Sequence, residues 1–132
     1  MSYVDSSRKY QFYRGDTLVG LVTIVDTDQP YFCGRIEPAE GFDDVAALLD
    51  RLGSNRRRSR SPDISGVSEE KMAARNQLAH EYALIAQELG RPGLRMVDAV
   101  TEELVFEPRD LQMDERGLWW TGPIWEEGKR II

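Results

Sequence analysis

The chain has 132 residues, with 17 Lys+Arg, 23 Asp+Glu, one His, one Cys and a formal net charge of −6. That length fits one domain and buries roughly two-thirds of the unfolded surface, enough for a core without staples. One Cys and one His exclude a disulfide scaffold and a zinc site of four such ligands, and no apolar run approaches the ~18 residues of a membrane span.

Residues 1–8 are polar and read as a frayed end. The stretch from Met1 to Asp5 lacks a basic-then-apolar signal pattern, so the cytoplasm is the expected location. Tyr10 to Tyr13 is a short strand, and Arg14-Gly15-Asp16 a turn. Leu18 to Val25 is rich in β-branched residues and apolar on both faces. Alternation places Leu18, Val22 and Ile24 on one face and Val19, Leu21 and Val25 on the other. Such a strand needs a cover on each side. Asp26 to Pro30 is a turn by composition. Tyr31 to Glu37 is a third strand, with Phe32 and Ile36 on one face and Pro38 as its end.

Phe42, Val45, Leu49 and Leu52 recur at helical spacing. Asp43 and Asp44 suit the first turn, and Gly53 reads as the C-cap. The Arg/Ser-rich residues 54–66 then read as a flexible loop. Ser68 is an N-cap without a capping box, since Lys71 stands three residues on. Leu78, Tyr82, Ile85 and Leu89 form the stripe of a second helix, stopped by Gly90 and Pro92. Strands follow at Leu94 to Val97, Leu104 to Glu107 and Leu111 to Met113, and Asp114 to Gly117 turns the chain into Leu118 to Thr121. Residues 122–132 read as a mobile tail. The order β-β-β-α-α-β-β-β-β predicts one α+β domain over 1–132. Its architecture would be an antiparallel sheet with two helices packed on one face.

Nucleophile-elbow and phosphate-loop motifs are absent from the sequence. His80-Glu81 begins like a zincin helix, but Leu84 stands where the second His belongs, and His80 lies opposite the apolar stripe. Cys33 sits mid-strand and reads as a buried, inert thiol. Asp26 and Asp28 could reach one hard cation, but Asp is common in turns because it accepts from nearby backbone N–H groups. No metal and no cofactor is therefore expected. Arg35 shares a face with Cys33; it is either paired, with Glu37 the nearest candidate, or an anion-binding arginine.

Arg56, Arg57, Arg58 and Arg60 concentrate positive charge; without them 13 basic residues face 23 acidic ones, a balance of −10. An acidic body repels nucleic acid and anionic membrane and favours a basic partner. The arginine segment has no interleaved aromatic on which bases could stack, so it reads as solvated. Trp119, Trp120 and Trp125 crowd the end of the chain. Trp119 and Trp120 point to opposite faces, so one belongs to the core and the other is available to an interface.

Gly20, Asp28-Gln29-Pro30-Tyr31, Gly34-Arg35-Ile36-Glu37-Pro38, Phe42, Leu89-Gly90 and Gly93-Leu94-Arg95-Met96-Val97-Asp98 form a pattern that ends in the Trp119-Trp120 strand. Over residues 10–121 this pattern resembles a family of small bacterial proteins, mostly from actinobacteria. The chain departs from it at Gln29-Pro30-Tyr31, where Phe-Pro-Trp is usual, in the Arg-rich insertion and in the tail after Gly122. The resemblance implies a shared fold and brings no activity with it. The preferred functional expectation is a non-enzymatic cytoplasmic interaction or accessory protein, immunity-like in kind. It would bind a basic protein or a second copy of itself through Val19, Leu21, Trp119, Trp120 and Trp125. The alternative is a small-ligand-binding or metal-dependent enzyme using Asp26, Asp28 and Arg35.

Overall fold

The computed structural model describes residues 8–28 and 30–131. The end read as frayed lies outside the described residues apart from Arg8, and so does Gln29 of the second turn. Three antiparallel strands come first: β1 (Tyr10–Arg14), β2 (Thr17–Asp28) and β3 (Tyr31–Pro38). Gly15, at φ 61°, takes the left-handed conformation that the β1–β2 turn needs. Two helices follow, α1 (Phe42–Ser59) and α2 (Glu69–Leu89), with a single 3-10 turn at Pro62–Ile64 between them. Then come β4 (Leu94–Asp98), β5 (Leu104–Phe106), β6 (Arg109–Asp114) and β7 (Gly117–Thr121).

The class is α+β. The seven strands lie in the order β5-β4-β1-β2-β3-β7-β6, and each neighbouring pair is antiparallel. Within the segment read as a tail, a small hairpin forms, β8 (Trp125–Glu126) with β9 (Lys129–Arg130). Among the described residues no helix is long and apolar enough to cross a membrane.

The sheet curls on itself. Phe106 on the edge strand β5 lies 5.0 Å from the Phe32 ring on β3 and 5.6 Å from Trp120 on β7, far across the strand order. A bridge between Phe106 and Ile124 ties that edge to the chain beyond β7. Tyr10, Phe12, Val22, Ile24, Met96, Leu118 and Trp120 line the concave face. Val45, Leu48, Leu49 and Leu52 of α1 and Ile85 and Leu89 of α2 pack into the same cluster. Each such side chain contributes roughly 1.5–3 kcal/mol on burial.

Two bulges in β2 correct the face assignment made by alternation. Phe12 pairs with Gly20 and Tyr13 with Leu18, so Val19 is the extra residue and turns into the core, fully buried. Ile24 pairs with Gly34 and Asp26 with Cys33, so Val25 is the second extra residue and is 44% exposed. Among the described residues no helix packs on the convex face. There, arginines roof the aromatic rings instead: Arg95 lies 4.6 Å from the Tyr13 ring centroid and Arg116 lies 5.2 Å from that of Trp119.

The first helix also corrects the sequence reading. Gly53 does not end α1, and residues 54–59, expected in the flexible loop, are helical. A Cβ on Gly53 would stand 2.5 Å from the Met113 carbonyl oxygen. Glycine is there because the helix crosses β6 at close range. Asn55, immediately before the arginines, is buried and donates from Nδ2 to the Leu78 carbonyl at 2.9 Å, which fastens α1 to α2. Arg is a good helix former, and positive charge suits a helix C-terminus, so the arginine run extends the helix.

Candidate functional site

The residues singled out from the sequence scatter. Val19 and Trp120 are fully buried in the core and have no surface to offer a partner, which corrects their assignment as interface residues. Trp120 stacks on Phe32 with centroids 5.8 Å apart. Leu21 and Trp125 are half-buried. Arg35 is exposed, and the pairing expected with Glu37 is replaced: Glu37 takes Lys9 at 2.9 Å. Asp26 spends one oxygen on the backbone N–H of Thr27 at 2.8 Å, and the other lies 3.6 Å from Arg116. Among the described residues no group of three or more His, Cys, Asp or Glu gathers as a metal site. Cys33 is buried; burial, and then the carboxylate of Asp114, push its thiol above the ordinary value, against the opposing pull of Arg116. His80 is exposed on α2.

The structure assembles one concavity that no single stretch of sequence announces. The last turns of α1 pass beside the β6–β7 turn and the β2–β3 turn. Between them lies a cleft of about 350 Å³. Helical spacing brings Gly53, Arg56 and Arg57 to the cleft from α1, and Arg60, the residue that caps its end, joins them. Asp28 and Tyr31 come from the β2–β3 connection, and Gln112, Asp114, Glu115, Arg116 and Trp119 from the β6–β7 hairpin. Four guanidiniums thus face three carboxylates. Arg58 points elsewhere and pairs with Glu81 at 2.6 Å.

Each wall is held by specific contacts. Asp114 is a structural carboxylate. Its Oδ1 accepts from the backbone N–H of Arg116 at 2.8 Å and of Gly117 at 3.2 Å, and from the Trp119 indole N–H at 3.1 Å. Those bonds fix the hairpin turn and the tryptophan together, and leave Arg116 lying over the ring. On the opposite wall, Arg56 donates from Nη2 to the Tyr31 hydroxyl and lies 5.8 Å from the centre of that ring. Neither Arg57 nor Arg60 makes a side-chain hydrogen bond or ion pair among the described residues.

The cleft therefore offers two anchored guanidiniums, each on an aromatic ring, and two unoccupied ones. Such a set can take an anion, because planar guanidinium groups can donate two parallel hydrogen bonds to a phosphate or carboxylate. Asp28 is the one residue of the earlier metal candidates that lines it. The aromatic partners missing from the arginine run in sequence are supplied by Tyr31 and Trp119, which the fold brings in from distant strands. No local pattern carries that information; only the crossing of α1 over β6, marked by Gly53, could have pointed to it. In comparison with known proteins, no family model, curated protein or solved structure matches the chain.

Proposed function

We propose that this chain is a non-enzymatic interaction protein and that the arginine cleft is its binding site for an anionic ligand. The observation that carries the reading is the pair Arg57 and Arg60, open at a concavity whose other arginines are already engaged. The volume of about 350 Å³ suits a small ligand or the tip of a larger one. A binding role is supported over catalysis by the chemistry of the two commonest nucleophile–base residues. Cys33 is a buried thiol with a raised pKa, and His80 lies exposed on a different element. The acidic charge of the body is a whole-molecule quantity that favours basic partners. It names no place on the surface, whereas the cleft does.

Calorimetric titration with inorganic pyrophosphate tests this reading. The wild type should bind, with affinity falling as salt rises. The double variant Arg57→Ala, Arg60→Ala should bind at least about tenfold more weakly, since each charged hydrogen bond lost contributes roughly 1.5–3 kcal/mol. Both side chains are exposed, so the variant should unfold at the wild-type temperature. Equal binding by both proteins, or no binding by the wild type, would refute the assignment.

A further inference from the structure

We infer that the ligand of this cleft is a small phosphate ester carrying a planar ring, in the manner of a nucleoside monophosphate; this rests on the anion-binding reading above. Two features beyond net positive charge point there. The first is the stacking surface. Arg116 is held over Trp119 at 5.2 Å, yet its side chain is 64% exposed, so the side turned away from the indole is open. A guanidinium backed by an aromatic ring is a preorganised platform for a second flat group, because bases stack on arginine planes as they do on aromatic rings. Among the described residues its one ion pair is with Asp26 at 3.6 Å, where both side chains are exposed and the attraction is weak. Arg116 is thus placed by the ring more than by a carboxylate.

The second feature is the mixture of signs. Arg57 and Arg60 stand on the α1 side, while Asp28 and Glu115 belong to the facing turns. A phosphate set against the arginines leaves the carboxylates to accept hydrogen bonds from hydroxyl or amino groups, which a nucleoside supplies and a bare phosphate does not. The same carboxylates oppose a continuous polyanion. A phosphate every few ångströms would bring negative charge against Asp28 and Glu115, so the cleft fits one phosphate better than a strand.

The probes are inorganic phosphate, adenosine 5′-monophosphate, adenosine and a single-stranded ten-nucleotide oligomer, titrated into the full chain by calorimetry. The monophosphate should bind at least about tenfold tighter than inorganic phosphate, the increment that one stacked base gives. Arg116→Lys keeps the charge and loses the plane. It should lower affinity for the monophosphate several-fold, and by a larger factor than affinity for inorganic phosphate. Equal affinity for the two probes would overturn the ring while leaving the anion site standing. An equal loss of both in Arg116→Lys would do the same. An oligomer that binds more tightly than the monophosphate, with a steeper salt dependence, would replace the small ligand by a nucleic-acid strand. Absence of phosphate binding in the wild type would remove the anion site itself.

Discussion

Asp98 is a carboxylate kept ionised inside the protein, at 5% exposure. Burial alone would raise its pKa. The backbone N–H groups of Thr101 and Val100, and then Arg8 at 3.3 Å, outweigh that and hold it below the ordinary carboxylate value. Since the folded pKa lies below the unfolded one, the stabilisation is complete above about pH 4 and is lost as pH falls through the folded value. Asp98→Asn should therefore cost roughly 1–3 kcal/mol at neutral pH. The gap from wild type, read from urea unfolding midpoints, should narrow at about pH 3. A gap that does not change with pH would mean that the charge contributes nothing. Cys33 is the opposite case, a group kept neutral. It should label with a thiol reagent only as the chain unfolds, and rapid labelling of the native protein would show that the sheet opens around it. The thiol was legible in the sequence, because cysteine mid-strand is commonly buried. Asp98 was not, since its partners are backbone groups of the following turn and an arginine some ninety residues earlier, just before β1.

At the level of elements, apolar periodicity located the helices, and Ser68 caps α2 as expected, its hydroxyl accepting from the Lys71 N–H at 3.3 Å. The end of α1 was misread because two physical meanings of glycine look alike in sequence. A C-cap glycine supplies positive φ, whereas Gly53 supplies the absence of a side chain where α1 meets the Met113 carbonyl. The two can be separated by substitution. At a mid-helix site open to solvent, Gly→Ala stabilises by about 1 kcal/mol. Here the added methyl meets a backbone oxygen at 2.5 Å, so helix and hairpin must move apart. Overpacking of this kind costs roughly 1–3 kcal/mol, and we expect the clash to outweigh the propensity, leaving Gly53→Ala less stable in thermal unfolding. A more stable Gly53→Ala would show that α1 does not lie this close to β6. The same close approach places the arginines over the cleft, so the variant should also weaken pyrophosphate binding. Alternation failed in β2 for a related reason. A bulge adds one residue without changing composition, and each bulge reverses the face of everything beyond it.

For the whole molecule, the doubly apolar strand raised the question of what covers its second face. Curling answers part of it. Val19 joins the core, and the rings of Tyr13 and Trp119 on the convex face lie beneath Arg95 and Arg116. Leu21 is half-buried, with Gln11 beside it on β1 and Glu37 on β3. These polar neighbours on both strands interrupt the apolar surface around Leu21. Self-association through this face therefore has little apolar area to gain. Sedimentation equilibrium at micromolar concentration should give a monomer. Leu21→Asp should remain folded and monomeric at a cost of about 1 kcal/mol, because the new carboxylate reaches water. Val19→Asp places a carboxylate in the core with no partner and should unfold the chain, since an uncompensated buried charge costs several kcal/mol against a total stability of about 5–15. A dimeric wild type that Leu21→Asp converts to a folded monomer would instead make the convex face the site of self-association. A chain that Leu21→Asp unfolds would place that leucine within the core.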